Sequence, residues 1–315
     1  MAYPNRNSKI SGNFCQNGQA PSGETPTLDT FISQIYLPYV KTRKRSWQVD
    51  ERLARKHMSM PFGARQLDQI SRAEVEDWLN SMLEAGFATT TCNRVLAVFK
   101  TIYSFAETRG YLPQGQSPCN GVSSFKTPYQ KERYLSQGEA VRLMDALERD
   151  GTLSAMAIQL LLLTGARKNE ILKARWEYVN LEQRLITVPI SKSGKPRYIV
   201  LSDAAVAIVR KIPRISGSPW LFAGNIPGKP LADLFDYWEK LRNELGLQDV
   251  RIHDLRHTFA SFLVNSGHSL YEVQKMLGHG DPRTTMRYAH LGQESLVAAA
   301  EKVSGFFVKP DDMAN

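Results

Sequence analysis

The 315-residue sequence predicts a mainly α-helical protein with one small antiparallel β-hairpin, divided into two folded regions. Three observations carry this. Apolar residues recur at helical spacing along most of the chain from Thr27 onward. Two short alternating runs, 185–190 and 198–201, flank the tight segment Ser191-Lys192-Ser193-Gly194-Lys195, which is the pattern of a hairpin. Between 112 and 136 the chain reads LPQGQSPCNGVSSFKTPYQKERYLS, with three prolines, two glycines and no sustained period, the composition of a linker.

Residues 1–26 are rich in Asn, Ser, Gly, Gln and Pro and lack an apolar run, so a disordered tail is expected and a signal peptide is not. The first region, 27–112, should hold four helices at 27–40, 46–58, 71–85 and 88–109, punctuated by Pro61, Gly63 and Gly86. A basic linker follows over 113–133, and a second region over 134–305, with a tail at 306–315. Helices are expected there at 136–149, 153–163 and 167–174, then the hairpin. Further helices are expected at 203–212, 230–245, 253–266, 269–277 and 282–289, and a last one at 293–303, whose Leu296, Val297, Ala300 and Val303 form an apolar stripe in search of a partner.

A formal charge of +9 and a pI near 9.4 favour a polyanionic partner. The cysteines, Cys15, Cys92 and Cys119, are odd in number and lie outside any disulfide or zinc spacing, which fits a reducing cytoplasm. The longest apolar block, 155–163, is too short to cross a membrane. Gly224–Lys229 lacks the spacing of a phosphate-binding P-loop, and no acidic cluster suits two-metal nuclease chemistry.

The chemistry concentrates between His253 and Tyr288. His253 and Arg256 sit three apart on one helix face, away from the apolar stripe of Leu255, Phe259, Phe262 and Leu263. His253 with His257 also has the i, i+4 spacing of a metal pair, but no third ligand follows. Gly267 ends that helix, Ser269 to Glu272 form a capping box for the next, and Gly278 closes it, leaving His279 on a turn. Asp281 and Pro282 open the short helix that ends at Tyr288. A phenol with a pKa of about 10 needs cations and a proton acceptor to act as a nucleophile, and Arg and His are the side chains that supply them. Upstream, Gly165 should end an apolar helix and set Arg167 at the start of the next. Glu170 lies three residues on, within reach of it; alone, the pair reads as a surface ion pair. The hairpin lysines, Lys192 and Lys195, can enter a DNA groove, protonate a leaving oxygen or simply be solvated.

Five motifs in order, TGARKNEI from Thr164, the lysine of SKSGKPRYIVL, HDLRHTFAS from His253, LGH from Leu277 and the tyrosine of TTMRYAHL, resemble those of the tyrosine recombinases, or phage integrase family, of the two-domain Xer-like type. The resemblance spans 134 to the end, and 27–112 looks like that family's core-binding, SAM-like domain. It implies a two-domain clamp on double-stranded DNA at recombination sites and a homotetramer in the synapse, with scope for an accessory directionality factor. It implies strand cleavage and rejoining through a 3′-phosphotyrosine formed by Tyr288, with no metal, cofactor or membrane. Arg167 and Arg256 would stabilise the transition state, Lys192 would protonate the 5′-oxygen, His253 and His279 would assist, and Glu170 would support them. Expected DNA contacts are Arg43, Lys44, Arg45, Thr90, Arg94, Lys100, Lys131, Arg133 and Lys195. A type IB topoisomerase-like nicking-closing enzyme and a non-catalytic DNA-binding regulator are the alternatives. The biological role, integration or excision of a mobile element or dimer resolution, is not written in the sequence.

Overall fold

The structure is a computed structural model and describes residues 25–127, 133–189 and 196–289. The chain divides into two compact units, one ending at Tyr129 and the other beginning at Gln130. Both are mainly helical, and the second contains a three-stranded antiparallel sheet.

The first unit holds four long helices: α1 (28–41), α2 (47–62), α3 (Arg72–Glu84) and α4 (Thr89–Thr108). Its core includes Phe31, Tyr36, Met58, Leu96, Phe99 and Tyr103, and it buries Cys92 and Cys119. Sequence placed the end of α2 at 58 because of Pro61, but the helix runs on to Phe62. Widening is what lets it pass: Ala54–Met58 forms a π-turn in which Ser59 N–H bonds back to Ala54 O, and a matching π-turn at Ile32–Tyr36 precedes Pro38 in α1. A proline ring crowds the carbonyl four residues upstream, and in both helices that carbonyl lies inside the widened turn. The Pro/Gly-rich stretch packs onto this unit in part. Leu112, Cys119 and Val122 are buried in its core, and Asn93 both donates to Phe125 O and accepts from its N–H.

The second unit runs α5 (Gln137–Asp150), α6 (Leu153–Thr164), α7 (Lys168–Leu172), β1 (Val179–Asn180), β2 (Leu185–Val188), β3 (Arg197–Val200), α8 (Asp203–Lys211), α9 (Phe235–Glu244), α10 (Asp254–Asn265), α11 (Leu270–Leu277) and α12 (Arg283–Met286). Ser136 with Glu139 and Ser269 with Glu272 form capping boxes that start α5 and α11. The strand order is β1-β2-β3, with Val188 opposite Arg197 and Ile186 opposite Ile199. Sequence had no strand at β1, which is two residues long and too short to show alternation. Apolar α6 runs through the middle of the core beside α5, α8 and α10. The hairpin tip, Lys192 and Lys195 included, the linker residue Lys131 and the expected helix 293–303 all lie outside the described residues.

Candidate active site

Helix α10 enters the site from a fixed angle, because the buried Asp254 carboxylate accepts from the backbone N–H of Arg251 at 2.8 Å and from its guanidinium at 2.9 and 3.0 Å. Two residues on, Arg256 is 4% exposed. Sequence had it facing away from the core; instead its guanidinium turns inward and donates to Gly165 O at 2.6 Å and Leu277 O at 2.8 Å. These carbonyls close α6 and α11, where unpaired C=O groups concentrate partial negative charge, and that is what makes burying a guanidinium tolerable here. Two of its five N–H donors are spent on these carbonyls.

Both closing glycines are held in the left-handed region, Gly165 at φ 60° and Gly278 at φ 63°. Close approach demands glycine as well. A Cβ at 165 would run into the Phe259 ring and come within 2.9 Å of Leu277, and one at 278 would strike the Arg197 guanidinium.

The Arg167 and Glu170 pair is an internal strut and not the surface pair that its spacing alone suggests. Glu170, 9% exposed at its side chain, accepts from the Arg167 guanidinium at 2.9 Å and from the Arg167 backbone N–H at 3.0 Å. Arg197 lies on its other side, with the guanidinium 3.6 Å from Glu170 Oε2. Arg197 also donates to Leu277 O, so one carbonyl serves two guanidiniums. Asn169 beside the strut is exposed, and its size meets no packing constraint.

His279 follows Gly278 and is fixed by its backbone N–H on Gln274 O at 3.1 Å and by Nδ1 at 2.8 Å from Thr285 Oγ1. Burial pushes its pKa down to about 3, reinforced by the charges of Arg256, Arg167, Arg287 and Arg197. His257 is pushed down to about 4, by burial first and then by His253. His253 itself is exposed, yet the protein wall behind it and the Arg256 charge lower its pKa too. Arg256 is lowered to about 9 by burial and by Arg167 and Arg197, and it stays a cation at neutral pH. Neutral imidazoles inside a ring of guanidiniums, with Glu170 as counter-charge, describe a centre short of negative charge.

Tyr288 is 2% exposed and packs with Ala260, Val264, Val273 and Leu277. Its hydroxyl lies 2.6 Å from His257 Nδ1, and the His257 ring stands edge-on to that of His253. The described catalytic candidates Arg167, Glu170, His253, Arg256, His279 and Tyr288 thus come together in one centre within the second unit. Sequence reasoning missed two neighbours. His257 was weighed only as half of a metal pair, and nothing local signals its partner 31 residues on. Arg197 did carry a signal: it stands in phase with buried Ile199 on β3, so the alternation already points it inward. Among the described residues no group of His, Cys, Asp and Glu gathers to hold a metal, and no helix is long and apolar enough to cross a membrane.

The expected DNA contacts divide. Arg43, Arg45, Thr90 and Arg94 are exposed, with Arg43 stacked 4.1 Å over the Tyr39 ring. Lys44 is paired with buried Asp50 at 2.6 Å, Lys100 donates to Val122 O at 2.6 Å, and Arg133 bridges Glu139 and Asp249, each at 2.7 Å. The charged ends of these three are engaged inside the chain.

The profile of the phage integrase family matches residues 133–295, and that of the phage integrase N-terminal SAM-like domain matches 42–110. The chain is 27% identical over 245 residues to tyrosine recombinase XerD of Pasteurella multocida, covering 73% of this chain and 81% of that protein. It is 28% identical over 243 residues to tyrosine recombinase XerC of Xanthomonas campestris, covering 74% of each. The fold is also that of the Tn1549 transposon integrase bound to transposon right-end DNA, with a TM-score of 0.71 and 19% identity over 89% of this chain and all of that one. A lambda integrase dimer on a core site gives 0.65, at 16% identity over 84% of this chain and 95% of that one. With a match that spans more than half of its length, on the unit that carries Arg167, Arg256 and Tyr288, the chain belongs to the phage integrase family.

Proposed function

We propose that this protein is a site-specific DNA recombinase that cuts and rejoins DNA through a 3′-phosphotyrosine on Tyr288. The observation that carries this reading is the placement of the Tyr288 hydroxyl on His257, the residue next to Arg256, in a centre where guanidiniums outnumber carboxylates. A phosphodiester is the anion such a centre suits. Arg167 and Arg256 take its non-bridging oxygens, Glu170 holds Arg167 in line, and His253 and His279, neutral at physiological pH, accept or relay protons. Lys192 of the hairpin gives its proton to the departing 5′-oxygen. Because the ester to Tyr288 conserves the energy of the broken bond, rejoining needs no nucleotide. Removing a positioned donor of this kind raises the barrier by about 3 kcal/mol.

In the same reading, 27–112 grips the duplex with Arg43, Arg45, Thr90 and Arg94, and 134–305 performs the chemistry. The two close as a clamp, four copies synapse two sites in the cytoplasm, and an accessory factor sets direction. The XerC and XerD relatives and the DNA-bound integrases support a DNA partner and assembly of several copies. A suicide substrate carrying a nick next to the cleavage site tests the proposal. The native chain should give a covalent adduct on a denaturing gel and Tyr288→Phe none; no adduct from the native chain, or one that survives in the variant, overturns it. Recombination between two sites on one plasmid then separates a recombinase from a nicking-closing enzyme.

A further inference from the structure

We propose that Arg197 is a positioning residue of the cleavage reaction, its one buried guanidinium setting both the turn that carries His279 and the carboxylate that holds Arg167. The proposal builds on the recombinase reading above. Arg197 opens β3 and is 8% exposed, pointing inward in register with Ile199. It donates to Leu277 O, the carbonyl that also receives Arg256 at 2.8 Å, so the two guanidiniums are fixed relative to each other by one backbone atom. Its other end lies 3.6 Å from Glu170 Oε2, and Glu170 is bound to Arg167 on its far side. Its stem runs under Gly278, where a Cβ would come within 2.8 Å of Arg197 Cδ, and Gly278 leads directly into His279. His279, Arg256 and, through Glu170, Arg167 are therefore all linked to this one buried side chain.

A scaffold role alone accounts poorly for this residue. Among the described residues its Nε and the terminal nitrogen that faces Glu170 at 3.6 Å are buried without a hydrogen bond, and a buried guanidinium so poorly satisfied costs stability that an apolar side chain of like length would not. Burial and the charge of Arg167 also lower its pKa, which marks the same expense. Retention of a costly cation at the junction of Leu277, Glu170 and Gly278 fits a group kept for geometry, since misplacing a reacting group by about 1 Å can cost about a hundredfold in rate.

The test compares native chain, Arg197→Met and Arg197→Lys on the nicked substrate, measuring single-turnover adduct formation, DNA affinity and thermal midpoint together. The Met variant should melt at or above the native midpoint and bind DNA within about twofold of native, yet form adduct about a hundredfold more slowly. Lysine, which keeps the charge but cannot reach Leu277 O and Glu170 at once, should recover part of that rate. An adduct rate near native in the Met variant overturns the proposal, and so does a rate that falls only in step with affinity or midpoint. If the Met variant does not fold, the Lys variant decides on the same readouts, and failure of both to fold assigns Arg197 to the scaffold and overturns it. Absence of adduct from the native chain would instead remove the recombinase reading and this role with it.

Discussion

Tyr288 and His257 meet in a buried hydrogen bond whose two members were separated by very different amounts of information. The tyrosine was legible because Asp281, Pro282 and the short helix precede it, although that helix ends at Met286 and not at 289, so that Tyr288 lies on the turn beyond it. The pairing with His257 depends on how this turn folds back on α10, which no local pattern encodes. The bond makes two outcomes predictable. Tyr288→Phe should fold but lose about 1–3 kcal/mol of stability, because Nδ1 of His257 is left buried without that hydroxyl; chemical denaturation checks this beside the loss of adduct. The second outcome concerns pH. His257 titrates near 4 in the folded chain and near the ordinary imidazole value of about 6.5 when unfolded. Between those values the unfolded chain holds a proton that the folded one lacks, so the stability is complete above about pH 6.5 and drains as pH falls toward 4. The slope is up to about 1.4 kcal/mol per pH unit for each such histidine, with His279 adding in the same direction. His257→Gln, which cannot titrate, should flatten the stability curve measured between pH 7 and 5; an unchanged slope would count against the buried neutral imidazole.

Element boundaries show which physics is local. The capping box at Ser269 and Glu272 and the closure at Gly278 were readable residue by residue, and α11 follows them. Pro61 was misleading, because a π-turn is a response of the whole helix to the ring and leaves no mark in composition. Arg256 was placed on the right helix but on the wrong side of it. Sequence patterning assigns charge to solvent, and only the meeting of two helix C-termini explains a charge within. Since α11 presents Leu277 O to both Arg256 and Arg197, loosening its start should be felt at the site. Ser269→Ala removes the side chain that accepts from Glu272 N–H and should cost about 1 kcal/mol in denaturant unfolding. Gly278→Ala should cost more than that, as it adds a left-handed residue and a clash with Arg197, and it should depress adduct formation further.

For the molecule as a whole, net charge was the most direct message of the sequence, and its expected consequence is salt sensitivity. DNA affinity should fall about a thousandfold between about 50 and 200 mM salt if six or more phosphates are contacted; a flat response would remove the electrostatic basis of binding. The break between units was harder to read. Proline and glycine announced a connection at 112, but Leu112, Cys119 and Val122 are apolar enough to be drawn into the first core, so composition described the backbone and missed the packing. All three cysteines precede residue 130, and the two within the first core have thiols whose pKa burial raises, Cys119 to about 11. A thiolate is the species that alkylating reagents capture, so these two sulfurs are silent while that core stays shut. The rate at which they become labelled is then a clock for opening of the first unit alone, ticking in the intact chain while the cysteine-free second unit contributes nothing to the signal.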